Sequence, residues 1–511
     1  MQQPPASILH AFLGWQDRDP QRPCLRFGGQ VFSYGQLGAE AALVAGGLRR
    51  LGLQRGDRLA LFLDNSPRFL CCYLGAQLAG AVVVLVNTQY RQVELRHLLS
   101  DSEARLAVTD AARRAELARV QADLPALERV LLADAPSAGG DLGYGELVAG
   151  PPLEAPTLPA AGDLALIAYT SGTTGRSKGA MLSHGNLAAN SAAVTAAWGW
   201  TADDRLLLTL PLFHIHGLGV GIHGTLLSGA QVDLHTRFEA ATVFDLLLTD
   251  PPTMFFGVPT MYTRLIGEAR HRSLRPPPIR LYVSGSAPLG PQIFVEFAGL
   301  FGQPILERYG MTETVMNTTN PLDGERRPGT VGRPFPGQEA RVVDVASRAP
   351  LPDGEIGEIQ VRGPHVCLGY WRRPDATAEV FGTDGWFSTG DLGRRSDDGY
   401  YTIVGRAREL IISGGYNVYP REVEDVLAAC PGVAEVAVFG APDPEFGELV
   451  AAAVVRAPGS DLSAEQLVAF CRDQLAAYKK PRRVLFLDAL PRNAMGKVQK
   501  QDLRERLEAR G

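Results

Sequence analysis

Short apolar runs alternate with longer stretches of helical periodicity in the first half of the chain. Between residues 30 and 250, runs rich in Leu, Val and Ala are followed by Ala- and Leu-rich stretches with helical spacing. This alternation predicts βαβ units and parallel sheets with both faces covered by helices. The predicted strands are 58–63, 81–86 and 206–210, and the predicted helices are 34–51 and 242–248.

A different pattern begins near residue 332. Apolar residues at 340–344, 357–362 and 400–404 form short strand-like runs, separated by turns that contain Gly, Pro and Asp. Such short runs between turn residues predict antiparallel strands. We therefore expect a small β-rich subdomain at 332–404, either a distorted barrel or a meander.

The last hundred residues again combine helices and strands. Helical periodicity occurs at 420–429 and 463–475, and strand-like runs occur at 433–439 and 449–455. About 100 residues are enough for a separate domain. The predicted fold class is therefore α/β: a large N-terminal domain (1–405) of stacked α/β subdomains with the small barrel-like β subdomain, followed by an α+β C-terminal domain (406–511).

Composition narrows the range of functions. The 511 residues are 45% hydrophobic and 21% charged, as in ordinary globular proteins of several domains. A net charge of −5 without long charged runs argues against nucleic acid or an anionic membrane as a partner. The chain starts without the pattern of a secretory signal, so we expect a cytoplasmic protein, either a monomer or a homodimer.

The most apolar segment and the cysteines are both explained by burial in the core. The most apolar segment, 70–86, is interrupted by Gly75, Gln77 and Gly80 and is shorter than the ~20 residues that a membrane helix needs. We predict a buried helix and strand there. The six cysteines are scattered without metal-ligand spacing, which indicates reduced core residues.

Lysine is unusually scarce. Only five of the 50 basic residues are lysines: Lys178, Lys479, Lys480, Lys497 and Lys500. A flexible ammonium group has properties that a planar guanidinium lacks, so the few lysines are candidates for functional positions, with chance as the alternative.

A predicted strand at 164–170 leads into a loop rich in glycine and hydroxyl groups. Glycines 172, 175 and 179 allow the backbone to wrap closely around a phosphate, while the Thr and Ser side chains donate hydrogen bonds and Lys178 adds positive charge. The spacing differs from that of a Walker A loop. We interpret the segment as a polyphosphate-binding loop.

The same loop contains the pattern of a serine hydrolase. Residues 175–179 match G-x-S-x-G, with Ser177 at the nucleophile position. A nucleophile elbow presents one serine on a tight turn, whereas this loop has five hydroxyl groups among three glycines. Phosphate binding therefore explains the loop better, and a serine hydrolase is kept as the alternative from a different class of function.

The loop, read as Tyr-Thr-Ser-Gly-Thr-Thr-Gly-Arg-Ser-Lys-Gly from Tyr169, resembles that of the adenylate-forming superfamily. That superfamily includes acyl-CoA synthetases, luciferases and adenylation domains of peptide synthetases. Further motifs follow in the family's order, at 309–313 (Tyr-Gly-Met-Thr-Glu), 388–391 (Ser-Thr-Gly-Asp), 405–406 (Gly-Arg) and 491–497 (Pro-Arg-Asn-Ala-Met-Gly-Lys). The resemblance covers about residues 25 to 505.

The resemblance implies an ATP-dependent acyl-CoA synthetase that uses ATP, Mg²⁺ and coenzyme A. It implies catalytic roles for Lys497, Thr312, Glu313 and His214, and Mg²⁺ binding at Glu313 and Thr174. Contacts to the nucleotide or to coenzyme A are implied for Thr170, Ser171, Gly172, Thr173, Thr174, Gly175, Lys178, Gly285, Ser286, Ala287, Glu307, Arg308, Tyr309, Asp391, Arg406, Ser413, Gly414, Gly415 and Tyr416.

Family enzymes rotate their C-terminal domain between the two half-reactions. The lysine that corresponds to Lys497 then leaves the site, and the segment that corresponds to 413–416 approaches the pantetheine tunnel. The resemblance therefore implies a mobile C-terminal domain. The hinge position is usually Asp or Lys and is Arg408 here.

The resemblance also implies that the acid binds between segments 211–217, 257–264 and 284–286, because acyl pockets in the family lie there. These segments carry His216, Arg264 and Ser286 where enzymes for fatty or aryl acids carry apolar groups, and a polar cluster of this kind suits a second carboxylate. The pattern resembles that of malonyl-CoA synthetases, so malonate or methylmalonate is the expected acid. A short or medium fatty acid and an aryl acid remain alternatives.

Overall fold

The computed structural model describes residues 5–170, 177–413, 416–444, 446–472, 474–493 and 496–509. Two large, mainly parallel sheets form the first two thirds of this part of the chain, followed by an antiparallel meander and a separate mixed sheet. The mixed α/β architecture expected from the pattern is confirmed.

The first large sheet contains the strand that leads into the phosphate-binding loop. Its strands are parallel except for the last, which returns antiparallel to its neighbour. In spatial order they are Leu142–Gly143, Arg129–Leu132, Leu106–Thr109, Arg58–Phe62, Val82–Leu85, Leu164–Thr170 and Lys178–Ser183.

The second large sheet carries the other motifs of the N-terminal domain. Its central strands are parallel and its edge strands are antiparallel. In spatial order they are Arg333–Pro334, Thr318–Thr319, Leu306–Tyr309, Leu281–Ser284, Met254–Gly257, Arg205–Leu208, Gln231–Leu234, Pro23–Phe27 and Gln30–Ser33.

Helices cover both sheets, and the largest apolar cluster packs between them. Local signals explain several helix starts: Ser33 with Gln36, and Ser183 with Asn186, form capping boxes, while Ser66 caps a helix that begins with Pro67. The α-helices of this region are Ile8–Arg18, Tyr34–Arg50, Pro67–Leu78, Gln92–Ser102, Ala111–Gln121, Tyr144–Leu147, His184–Ala197, His223–Ser228, Ala240–Thr249, Pro259–Arg272 and Pro291–Phe301, with a π-helix at His216–Ile222.

The β-rich subdomain is a meander, one of the two forms expected. Its four described strands pair antiparallel in chain order, at Glu339–Val343, Gly357–Arg362, Phe387–Arg395 and Tyr401–Arg406, with a helix at Pro374–Val380. Tyr401 exchanges backbone hydrogen bonds with Val331 and Gly332, which joins the meander to the edge of the second large sheet.

After a 3₁₀ turn at Ala407–Glu409 the chain enters the last sheet. Its strands are Tyr416–Val418, Ile411–Ser413, Gly447–Arg456, Val433–Asp443 and Arg483–Leu487. Helices Pro420–Ala428, Ala464–Phe470 and Lys500–Glu508 and a 3₁₀ turn at Ala477–Lys479 complete this region. The helix expected at 463–475 ends early, at Phe470.

The structure agrees with the prediction that the apolar segment 70–86 and the cysteines are buried. The apolar segment 70–86 forms the helix Pro67–Leu78 and the buried strand Val82–Leu85. Across the described residues, no helix has both the length and the apolar character needed to cross a membrane. All six cysteines are buried and free.

Gly332 and Gly337 offer a test of the close backbone packing at the edge of the second large sheet, where the meander joins it. Both have left-handed backbone angles, but a Cβ at Gly332 would lie 1.9 Å from the Thr319 carbonyl oxygen, whereas a Cβ at Gly337 meets nothing within 4 Å. Gly337→Ala should cost about 1 kcal/mol of strain, and Gly332→Ala at least about 3 kcal/mol more. Thermal unfolding of the two variants checks this difference, and equal melting temperatures would contradict it.

Candidate active site

The two strands that flank the phosphate-binding loop form its base. Thr170 ends one strand and its Oγ1 donates to the Lys178 carbonyl oxygen, at 3.4 Å, across the antiparallel pair. The predicted phosphate ligands Ser171, Gly172, Thr173, Thr174 and Gly175 lie outside the described residues. The base of the loop nevertheless stands at the carboxyl edge of a parallel sheet, where ligands commonly bind in α/β folds.

Lys178 and Glu313 both contact one tyrosine, Tyr370. The Lys178 ammonium lies 5.2 Å from the centre of the Tyr370 ring, and the Tyr370 hydroxyl donates to Glu313 Oε1 at 2.9 Å. Tyr370 also pairs through its backbone with Ala180, beside the loop. The tyrosine therefore holds the loop's cation close to the carboxylate expected to bind the metal. Nothing in the sequence motifs singled out Tyr370.

The surroundings of Glu313 fit a magnesium ion that also binds nucleotide phosphates. Glu313 is 5% exposed, and burial raises the pKa of its carboxyl group. Among the described residues, no group of three potential metal ligands occurs. Mg²⁺ typically takes only one or two carboxylates and completes its coordination with phosphate oxygens and water, so a single glutamate is a suitable anchor. Thr312 is half-buried beside it.

Asp391 is held by partners from two sheets. Arg406 Nε lies 2.6 Å from Asp391 Oδ1, and the Tyr309 hydroxyl donates to Oδ2. Asp391 is 3% exposed, so the arginine compensates for the loss of water around the carboxylate. Each oxygen retains a second lone pair, and a fixed carboxylate of this kind can accept hydrogen bonds from the two ribose hydroxyls.

Lys497 approaches this carboxylate from the C-terminal region. Its backbone exchanges hydrogen bonds with Asn493, and a Cβ at the adjacent Gly496 would lie 3.4 Å from Thr260 Oγ1 of the N-terminal region. The residue as a whole is exposed, but the protein atoms packed around its ammonium group lower the pKa of that group by desolvation. The nearby charge of Arg406 strengthens this effect, and those of Asp391 and Glu313 oppose it.

The wall expected beside adenine is formed by two strand ends. The Glu307 carboxylate accepts from the Leu289 backbone N–H at 2.9 Å, and burial raises its pKa to about 8. Gly285 is buried, Ser286 and Ala287 are half-buried, and Ser286 has a left-handed φ of 67°. A Cβ at Gly285 would lie 2.3 Å from Cζ of Arg308, so a larger residue there would displace the guanidinium group.

The structure brings together two of the three predicted acid-binding residues. His216 Nδ1 lies 3.1 Å from Ser286 Oγ, and the His216 backbone N–H donates to His214 Nδ1 at 3.1 Å. Burial is the main cause of the lowered pKa values of both histidines, and the pKa of His214 is lowered to about 3. Both rings are therefore neutral near pH 7. Arg264 is exposed on Pro259–Arg272 and forms no hydrogen bond or ion pair with the described residues.

The residues expected to meet coenzyme A lie on the C-terminal sheet. Ser413 is buried at the end of its strand, Gly414 and Gly415 lie outside the described residues, and Tyr416 is 59% exposed with its ring stacked on Tyr478 at 4.6 Å. Arg408, the predicted hinge, lies in the 3₁₀ turn that leads into this sheet and is exposed. The arrangement thus places Lys497 near Asp391, Arg406 and Glu313 and leaves Tyr416 on the surface.

Comparisons with known proteins agree with this geometry. A family model described as AMP-binding enzyme matches residues 12–371, and its C-terminal domain model matches residues 422–497. A feruloyl-CoA synthase of Amycolatopsis sp is 38% identical over 95% of this chain and 96% of its own. A malonate–CoA ligase of Arabidopsis thaliana is 34% identical over 95% of this chain and 86% of its own.

The crystal structure of ATP-bound MatB from Rhodopseudomonas palustris is 42% identical, with a TM-score of 0.91 over 98% of this chain and 99% of that one. The apo structure of the same protein has a TM-score of 0.80 over the same shares of both chains. The present arrangement is thus more similar to the ATP-bound form. From its two matched domains and these relatives, the chain belongs to the AMP-binding enzyme family, which includes AMP-forming acyl-CoA ligases.

Proposed function

We propose that the protein activates a small dicarboxylic acid, malonate or methylmalonate, as its acyl-adenylate and transfers the acyl group to coenzyme A. The observation that carries the adenylation step is the position of Lys497, whose ammonium group lies within the electrostatic influence of Asp391, Arg406 and Glu313. A cation at this point neutralises the two anions that must approach each other, the acid's carboxylate and the α-phosphate of ATP.

In the proposed first half-reaction, a carboxylate oxygen attacks the α-phosphorus in line. The bond to the bridging oxygen breaks, and pyrophosphate leaves with both bonding electrons. Asp391 orients the ribose, the loop that ends at Lys178 binds the departing phosphates, and Thr312 donates to the α-phosphate. When bound at Glu313, Mg²⁺ would supply charge neutralisation on the phosphates. Positioning and electrostatics are sufficient, so no protein nucleophile is required.

In the proposed second half-reaction, the thiol of coenzyme A loses its proton to solvent and attacks the acyl carbonyl carbon, and AMP leaves. Tyr416 is on the surface while Lys497 is in the cleft, which supports an arrangement suited to the first step. A rotation about Arg408 is the proposed route by which the C-terminal domain, residues 406–511, exchanges these two segments.

Coenzyme A, rather than a carrier protein, is supported by a cavity of about 660 Å³ between the two large sheets. Its lining includes residues that follow the strands Arg58–Phe62 and Val82–Leu85 of the first sheet and Gln231–Leu234 of the second. Val82–Leu85 pairs directly with Leu164–Thr170, the strand that precedes the predicted phosphate ligands. Of its three arginines, Arg113 pairs with Asp64 and Arg237 with Glu239, both of which also line the cavity, so Arg91 is the one whose charge is left for a ligand among the described residues. A guanidinium without an ion pair suits a phosphate of a nucleotide, and a carrier protein presents no such phosphate beyond its pantetheine arm.

The hydrolase alternative finds little support in the structure. The Ser177 carbonyl oxygen accepts from His97 Nε2 at 2.8 Å, but its hydroxyl forms no hydrogen bond with the described residues. A serine nucleophile needs a base within hydrogen-bond reach. Ser177 is therefore better explained as part of the phosphate-binding loop.

The choice of acid is tested by pyrophosphate release with a panel of malonate, methylmalonate, butyrate, octanoate and ferulate. We expect malonate or methylmalonate to give a kcat/KM at least about 100-fold above the monocarboxylates, because a charged pocket left without its anion is costly. Release should require ATP and Mg²⁺. A preference for ferulate or octanoate would refute the dicarboxylate proposal while leaving the ligase activity intact.

Replacing Lys497 separates the two half-reactions. Lys497→Ala should slow acyl-adenylate formation by about 100- to 1,000-fold, because one preorganised cation is lost. Thioester formation from supplied acyl-adenylate should fall much less. Rapid-quench measurement of each half-reaction checks this, with Lys480→Ala as a control lysine in the same domain. Equal losses in both steps would contradict the proposed role.

The acceptor site is tested at Arg91, which is exposed at the cavity and forms no ion pair with the described residues. Arg91→Ala should raise the KM for coenzyme A about five- to tenfold, as expected for one charge-assisted contact to phosphate. Pyrophosphate release without coenzyme A should be unaffected. Arg96→Ala, at an exposed arginine paired with Asp123 on the nearby helix, is the matched control. A normal KM for coenzyme A in Arg91→Ala would exclude this residue from the acceptor site.

A further inference from the structure

Lys500 is held by two carboxylates near the start of the C-terminal domain. Its ammonium group lies 3.3 Å from Glu409 Oε2 and 3.0 Å from Glu424 Oε1, and its side chain is 20% exposed. Glu424 Oε1 also accepts from the Val438 backbone N–H at 2.9 Å. Among the described residues, Glu409 has Lys500 as its one ion-pair partner. Loss of Lys500 would therefore leave Glu409 without a cation, whereas Glu424 would keep its backbone partner.

The ammonium group of Lys497, by contrast, forms no ion pair with any described residue. Three carboxylates nevertheless lie close enough to influence it electrostatically, those of Asp391, Glu313 and Glu409. Asp391 already pairs with Arg406, and Glu313 is the expected ligand of Mg²⁺. Glu409 is thus the one of the three whose charge is compensated neither by this arginine nor by the expected metal ion.

A short hairpin brings the two lysines to the same carboxylate. Arg492 and Val498 form a backbone bridge across it, and the Lys497 backbone N–H donates to Asn493 Oδ1 at 3.0 Å. The helix Lys500–Glu508 begins two residues after the bridge. Because the backbone of Lys497 is held by these bonds, its ammonium group is placed by rotation of a flexible side chain. The charges around that side chain then determine which anion the ammonium group meets.

We propose that Lys500 is a positioning residue for acyl-adenylate formation: it occupies Glu409 and so leaves the ammonium group of Lys497 free to meet the acid and the α-phosphate. This inference rests on the proposed role of Lys497 and does not depend on which acid is used. Without Lys500, the uncompensated Glu409 attracts Lys497. A cation held by a carboxylate of the protein neutralises the charges of the substrates less well than a free one.

Lys500→Met tests the proposal, because it preserves most of the side-chain length and removes the charge. We expect acyl-adenylate formation to slow about 20- to 100-fold, since Lys497 is then drawn to Glu409. Thioester formation from supplied acyl-adenylate should change less than about threefold, because Lys497 leaves the site before that step. Rapid-quench measurement of each half-reaction checks both values. Lys479→Met, which removes an ion pair with Glu422 in the same domain, is the matched control and should leave acyl-adenylate formation unchanged.

A second substitution distinguishes this role from a structural one. In the Lys500→Met background, Glu409→Gln should restore acyl-adenylate formation to within about threefold of the wild type, because the competing charge is gone. Glu424→Gln in the same background should not restore it, since the main charges that influence Lys497 include Glu409 and not Glu424. Both double variants remove one uncompensated carboxylate, so both should recover part of any melting temperature lost in Lys500→Met. If Lys500→Met yields no folded protein, Lys500→Gln replaces it in every comparison.

The contrary outcomes separate this inference from the proposed function. Undiminished acyl-adenylate formation in Lys500→Met, equal losses in both half-reactions, or equal rescue by Glu409→Gln and Glu424→Gln would overturn the inference. If Lys497→Ala abolishes acyl-adenylate formation but Glu409→Gln does not restore it in Lys500→Met, the inference is wrong and the proposed role of Lys497 stands. If Lys497→Ala leaves that step intact, both are wrong.

Discussion

The ion pair between Arg406 and Asp391 is the interaction on which the geometry of the site depends. The two residues face each other in neighbouring strands of the meander, so sheet register sets their distance. Tyr309 binds the other carboxylate oxygen from the second large sheet. One carboxylate thus connects two subdomains. Removing either member of such a buried pair typically costs about 3–5 kcal/mol, because the other charge is left without compensation.

The same pair connects the nucleotide site to the C-terminal domain. Arg406 is the last residue of the meander, and the turn Ala407–Glu409 follows it directly. Glu409 and Glu424 both bind Lys500, at 3.3 and 3.0 Å, three residues after Lys497. The ion pairs of Lys500 therefore connect the segment that carries Lys497 to the beginning of the C-terminal domain, which directly follows Arg406.

The scarcity of lysine has a structural counterpart. Lys178 and Lys497 lie at the nucleotide residues, and Lys500 lies between Glu409 and Glu424 at the start of the domain. Lys479, by contrast, forms an ordinary ion pair with Glu422. Three of the five lysines thus cluster where a compact ammonium on a flexible stem is useful, while arginines form the surface ion pairs elsewhere. This favours function over chance for Lys178 and Lys497.

Much of the fold was predictable, because buried strands and amphipathic helices leave strong apolar patterns. The helix expected at 463–475 shows the limit of such predictions. Leu475 packs in the same cluster as Leu467, but it lies in a turn beyond the end of the helix at Phe470. A periodic apolar pattern shows which residues are buried, and it does not show that the helix continues to the last of them. The contact of Tyr370 with Glu313 was not predictable, because it joins residues 57 apart. The meeting of His216 and Ser286 was expected from motif positions.

The charges of the site fall into compensated and uncompensated groups. Asp391 is neutralised by Arg406, and Glu313 is suited to a metal ion. In the proposed mechanism, Lys178 and Lys497 bind the anionic groups of ATP and the acid. Lys178 belongs to the large N-terminal region, whereas the position of Lys497 depends on that of the C-terminal domain. In this mechanism Lys497 neutralises charge at the α-phosphate in only one arrangement of the two domains, and a rotation after adenylation would remove it from the site that the thiol must reach.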